Sequence, residues 1–156
     1  MSFLLRQLQY NMKQFIVLSK SKAKNFTSDV PWAAISIASH KDDLPKLNAC
    51  QRMGLLQLEF ADIEHDDGWP AHKDRLFTSK QAQQILEFAE QMWDKVDVFM
   101  VHCFAGVSRS AAVAAALEKI YNKREDVVEY WYKHSPNMLV FTTLLETAIS
   151  KNICFI

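Results

Sequence analysis

The sequence predicts an α/β fold in which a central, largely parallel sheet of four to five strands is flanked by helices. Three features predict it: four short apolar runs of strand length, a helical period of apolar residues between the third and fourth, and an alanine-rich stretch directly after the fourth. Elements that alternate in this way pack as layers, helices over a sheet whose strands run the same way.

The runs are Phe15 to Leu18, Trp32 to Ala38, Leu55 to Phe60 and Val98 to Val101, with the β-branched and aromatic content of buried strands. Between the last two, Ala82, Ile85, Leu86, Ala89, Met92, Trp93 and Val96 recur at helical spacing. Thr78, followed three residues later by Gln81, is a capping-box start for that helix. Ser110 to Tyr121 is helical by its alanine content. Two further helices are expected, from about Glu125 to Lys133 and about Met138 to Ser150, separated at Ser135-Pro136 because proline cannot continue a helix.

A chain of 156 residues fits one domain, residues 1–156, and with only three glycines and four prolines it holds no linker, repeat or low-complexity tract. Lysine plus arginine equals aspartate plus glutamate, 18 each, so no overall field favours nucleic acid or an anionic membrane. Any anion site must be local. No apolar run approaches the length of about 18 residues that could span a bilayer. Arg6, Gln7 and Gln9 interrupt the apolar start of Met1 to Tyr10, so no export signal is expected there, and Cys154 stands one place too close to Ile156 for prenylation. Cys50, Cys103 and Cys154 have neither disulfide-framework nor zinc-site spacing, and a reducing cytoplasm is the expected home.

In parallel sheets ligands bind beyond the carboxyl ends of the strands. There Val101 leads into His102-Cys103-Phe104-Ala105-Gly106-Val107-Ser108-Arg109-Ser110, entered from a strand and left by a helix. Successive N–H groups in such a loop form a nest for an anion, and the helix N-terminus behind adds positive partial charge. Phe104 to Arg109 are therefore the phosphate-binding candidates, with Gly106 supplying the backbone freedom of the turn. Arg109 offers a planar fork that grips two phosphate oxygens. A thiol at the centre of this field is driven toward thiolate; cysteines in such places fall from a pKa of ~8.5 to roughly 3.5–7.5. Cys103 is thus a candidate nucleophile, Ser110 a hydroxyl placed to bond its sulfur and help it leave, and His102 a support beneath the loop.

His102 to Ser110 resembles the signature loop of the dual-specificity branch of the protein tyrosine phosphatases. Ser135-Pro136-Asn137, followed by Leu144-Leu145-Glu146, resembles the segment that branch carries after its signature helix. The similarity runs from about Leu55 to Glu146 and implies a short, single-domain, prokaryotic-type member. It also implies a general acid on an upstream loop. Asp62 stands just after the third strand, where the family's acid stands. The stretch from Glu64 to Phe77 is longer than the family's usual loop, however, which leaves Asp66 and Asp67 as alternative acids, or as residues of a solvated loop tip.

Trp69, in the same loop, could stack on an aromatic phosphoester, but packing the loop down is the commoner use and the expectation here. His65 and His72 lack the partner spacing of a metal site. Cys50 and Cys154 are expected to be inert thiols rather than disulfide partners of Cys103. Asn137 is either a brace for the phosphate loop or a cap for the helix after Pro136.

The reaction implied is hydrolysis of a phosphomonoester through a cysteinyl-phosphate, with no metal or organic cofactor and with an optimum on the acid side of neutral. A phosphorylated protein is the expected substrate, phosphotyrosine first, phosphoserine and phosphothreonine possible. The variable loop positions carry no lysine, unlike phosphatases of multiply phosphorylated inositol lipids, and no basic patch supports nucleotide or RNA 5′-phosphates. Two other classes stay open: a binding module that holds phosphorylated partners without turnover, and a sulfurtransferase or arsenate reductase. The latter kind carries its motif near the N-terminus.

Overall fold

A computed structural model describes residues 12–153. The readings made on Met1 to Tyr10 and on Cys154 to Ile156 lie outside these residues. Four strands, β1 (Gln14–Ser19), β2 (Trp32–Ala38), β3 (Arg52–Glu59) and β4 (Val98–Cys103), pair entirely in parallel in the order β1-β4-β2-β3. Among the described residues this is the lower end of the expected strand number.

The helices are α1 (Lys20–Ala23), α2 (Pro70–Lys73), α3 (Ser79–Met92), α4 (Arg109–Tyr121), α5 (Glu129–Lys133) and α6 (Met138–Ser150), with a 3₁₀ turn over Lys41–Asp43. α3 opens on the expected capping box, Thr78 accepting from the Gln81 N–H while the Gln81 side chain reaches back to the Thr78 N–H. α1 and α2, at four residues each, are too short to show a period, and sequence reading missed both. α5 begins four residues later than expected. Lys123 has a positive φ of 58°, and the Asp126 carboxylate accepts the Val128 N–H in a side-chain turn, so the chain between them cannot be helical.

Strand alternation sorts the side chains into two layers. Ala33, Ile35 and Ile37 of β2 and Phe99, Val101 and Cys103 of β4 join the larger core, shared with α3, α4 and α6. Trp32 and Ala34 of β2 and Val98 and Met100 of β4 join a smaller one, closed by Ala23, Leu47 and the half-buried Phe26. The same alternation puts His102 on the smaller-core face and Cys103 on the helix face. α4 runs through the larger core: from Arg109 to Glu118 each of its residues is buried, and Ala111, Ala112, Ala114, Ala115 and Ala116 are fully so. Alanine lets the helix axis come close to the sheet, which sets the height of the loop that joins β4 to α4.

Candidate active site

β4 is flanked by β1 and β2, so the loop after it opens between the ends of two neighbours. Ser19, the last residue of β1, is level with Cys103, and the Lys20 N–H donates to the Phe104 carbonyl at 3.0 Å. Gly106 has φ 71°, and a Cβ there would come within 2.5 Å of the Ser19 nitrogen and 2.6 Å of the Leu18 carbonyl carbon. Both the left-handed backbone and the approach of β1 therefore require glycine. On its other side the loop is tied down by the Ser135 N–H to the Val107 carbonyl and the Asn137 N–H to the Ser108 carbonyl.

Cys103 lies on the floor of this loop, 2% exposed, with Sγ 3.1 Å from Ser110 Oγ. Burial pushes the thiol up. The Ser110 hydroxyl, the N–H groups of Ser110 and Gly106 and the charge of Arg109 outweigh that and hold it below its ordinary value. The thiol is shifted toward its ionised form in the very place where desolvation alone would oppose it. His102, fully buried on the opposite face, has Nδ1 3.2 Å from the Cys103 carbonyl and shares a hydrogen bond between Nε2 and Ser36 Oγ. An Nδ1–H that donates to the carbonyl and an Nε2 that accepts from Ser36 describe a neutral imidazole. Burial first, then the charges of Lys20 and Arg109, lowers its pKa against one hydrogen bond that raises it.

Arg109 is 5% exposed at the first turn of α4. Its Nη1 donates to Ser39 Oγ and to the Phe60 carbonyl, both at 2.9 Å, so residues just past β2 and β3 hold the guanidinium from one side. Nε is buried without a protein acceptor, the state of a donor meant for an oxyanion. Sequence reading missed Ser39, Phe60 and Ser36 as supports; the one signal was Ser36 itself, a hydroxyl inside the apolar run of β2.

Asp62 is exposed at the rim, where Oδ1 accepts from Ser108 Oγ and from Asn137 Nδ2, both at 2.8 Å. Ser108 consequently makes no side-chain cap to α4, which leaves that helix's first N–H groups for the loop. The Asn137 side chain caps α6, its Oδ1 accepting the Val140 N–H, and its amide nitrogen reaches the Asp62 loop rather than the phosphate loop, donating to Asp62 and to the Ile63 carbonyl.

Asp66 and Asp67 are consumed by their own loop, accepting the N–H groups of Gly68 and Trp69 respectively. The Trp69 N–H and then His72, at 2.7 Å from Oδ2, hold Asp67 below the usual carboxylate range, which suits a permanent anion rather than an acid. Trp69 is 67% exposed and does not pack the loop down, contrary to expectation; the loop is instead pinned at its end, where the Arg75 carbonyl accepts the Ala61 N–H.

Cys50 sits before β3, level with the start of the parallel sheet, and is exposed. Cys103 ends β4, five residues further along, about 16 Å at strand rise, well beyond disulfide reach. Among the described residues no group of three or more His, Cys, Asp or Glu is placed to hold a metal ion, and no helix is long and apolar enough to cross a membrane.

No protein-family model and no curated protein sequence matches this chain. Solved structures do. The human tyrosine phosphatase-like serine/threonine/tyrosine-interacting protein is 22% identical, with 78% of this chain covering 79% of that one at a TM-score of 0.54. PTPMT1 in complex with PI(5)P is 17% identical over 89% and 92% of the two chains, and human DUSP28 13% identical over 88% and 93%, each at a TM-score of 0.57. Together with the parallel sheet and the loop after β4, these likenesses identify the fold of this chain as that of the dual-specificity branch of the protein tyrosine phosphatases.

Proposed function

We propose that this protein is a cysteine-dependent phosphatase, with Cys103 as nucleophile, Arg109 and the N–H groups of Phe104 to Arg109 as the phosphate cradle, and Asp62 as general acid. The observation that carries the reading is the Cys103 thiol. It is buried yet held below its ordinary pKa by Ser110, two loop N–H groups and Arg109. A structural cysteine in an apolar floor would be pushed the other way.

In the first step the Cys103 thiolate attacks phosphorus in line while the ester P–O bond breaks, and the Asp62 carboxylic acid protonates the leaving oxygen. Arg109 Nε and the cradle N–H groups take the equatorial oxygens, whose charge is held without reorganisation. In the second step water attacks the cysteinyl-phosphate, Asp62 accepts its proton, and the thiolate leaves with the Ser110 hydroxyl bonded to it. Asp62 is preferred over Asp66 and Asp67 because it is held against the loop by Ser108 and Asn137, whereas the other two close turns of their own. Phosphotyrosine is the substrate class proposed. The exposed Phe104 and Val107 of the loop and Met138 beyond it offer apolar contact to an aryl group.

The test is the pH dependence of p-nitrophenyl phosphate hydrolysis in EDTA for the wild type, Cys103→Ser, Asp62→Ala and the Asp66→Ala/Asp67→Ala pair. A bell with its maximum below pH 7 is expected, abolished by Cys103→Ser. Asp62→Ala should lower kcat about 10²-fold or more and remove the alkaline fall, and the paired variant should keep it. An inactive wild type that binds a phosphotyrosine peptide would replace this reading with that of a binding module.

A further inference from the structure

β1 is an edge strand, and Phe15 and Val17 on its helix face stay half-buried. Over them lies a cavity of about 190 Å³, bounded by Glu118 of α4, by Tyr130 and Lys133 of α5 and by His134 just after it, with Glu129 at the rim. None of these residues enters the proposed chemistry, and the cavity shares no lining residue with the phosphate loop. Three of its walls are rings: Phe15, the buried Tyr130, and His134, whose ring centre lies 6.1 Å from that of Tyr130.

The charge along this cavity is unbalanced. Glu118 is 9% exposed, a carboxylate taken almost wholly out of water, and Arg124 Nη1 donates to its Oε2 at 2.7 Å. The same Nη1 also donates to Glu129 Oε1 at 2.7 Å, so one guanidinium nitrogen serves two carboxylates. Burial pushes the Glu118 carboxyl up against the opposing pull of Arg124 and the Tyr130 hydroxyl, which marks the compensation as incomplete. Lys133 is exposed at the rim and, among the described residues, forms no ion pair with a carboxylate. A buried carboxylate short of positive charge, beside three rings, is complementary to a cation with an apolar body. The volume falls below the range of about 300–1,000 Å³ that drug-sized ligands fill, which limits that body to a single ring or a short chain. We infer that this cavity binds a small organic ammonium ion, its charge held between Glu118 and Glu129 and its apolar part resting on Phe15 and Val17.

Benzylammonium tests it, titrated into the full chain at pH 7 and followed by calorimetry and by chemical shifts, with benzyl alcohol as the neutral match. Saturable binding at one site is expected, about tenfold or more tighter than that of the alcohol. Glu118→Gln should weaken it by about tenfold and Glu129→Gln, at the exposed rim, by about threefold. Lys133→Met removes a competing cation and should strengthen it. Val17→Trp fills the cavity without touching its charge and should abolish binding, with thermal unfolding showing whether that variant is folded. If it is not, the opposite shifts of the two exposed rim variants, Glu129→Gln and Lys133→Met, decide the matter by themselves. Orthovanadate, which occupies the phosphate loop, should leave benzylammonium bound. No saturable binding, equal affinity for the alcohol, displacement by orthovanadate, or an affinity that neither rim variant moves would each overturn the site. All of these readouts are of binding, so they hold whether or not the chain hydrolyses phosphoesters.

Discussion

Cys103 and His102 are adjacent in sequence and electrostatically opposite. His102 points into the apolar layer beneath the sheet and is held neutral; Cys103 points to the helix side, where α4 and Arg109 favour its anion. Since Ser110 is the largest of the influences that lower the thiol, Ser110→Ala should raise the midpoint of Cys103 alkylation by iodoacetamide and slow the reaction at pH 7. Mass mapping with the exposed Cys50 as internal reference reads this directly; an unmoved midpoint would assign the effect to the loop N–H groups alone. For His102 the folded pKa lies below the unfolded value of 6.5, so its contribution to stability is complete above about pH 6.5 and is lost as pH falls through the folded value. Urea unfolding between pH 7 and 5 should therefore show a shallower loss of stability in His102→Asn, by up to one proton, about 1.4 kcal/mol per pH unit. Coincident slopes would mean that the folded protein protonates this ring freely.

At the scale of elements, Asn137 joins three pieces: the start of α6, the Asp62 loop and, through its N–H, the phosphate loop. Asn137→Ala removes a helix cap and two donors from a fully buried site and should cost about 1–3 kcal/mol, with kcat lowered as Asp62 loses one of its two tethers. Asn137→Asp retains a capping oxygen but not the donor to Asp62. Its second carboxylate oxygen would face Asp62 at a buried position, so it should recover neither the stability nor the rate, and recovery of both would reduce Asn137 to a cap. The segment between β3 and α3 shows the limit of spacing arguments. Its length suggested several candidate acids; in the structure Asp66 and Asp67 close turns of their own, whereas Asp62 is held by Ser108 and Asn137.

For the whole molecule the tightest constraint is α4, which lies between the sheet and α6 with alanines at the closest approach. Ala115→Leu adds volume where nothing can withdraw. It should cost about 1–3 kcal/mol in urea denaturation, and because α4 carries the loop on its first turn, activity should fall at temperatures where the variant is still folded. A variant with wild-type activity and stability would show that the α4–sheet contact is looser than its burial states.

The sequence by itself determined the element order, the capping box at Thr78, and the loop from His102 to Ser110, because these depend on local periods and on residue types needed within a few positions. It did not reveal α1 or α2, which are shorter than a helical repeat, or the late start of α5, set by one side-chain turn. Tertiary structure alone decided that Arg109 is held by Ser39 and Phe60, that Ser36 supports His102, that Asp62 is the aspartate held at the loop, and that Lys20 stands beside it. Those pairings span between 46 and 84 residues of chain or join separate strands, as with Ser108 to Asp62 and Lys20 to Phe104. Only the parallel order β1-β4-β2-β3, which gathers four strand ends at one edge, brings them together.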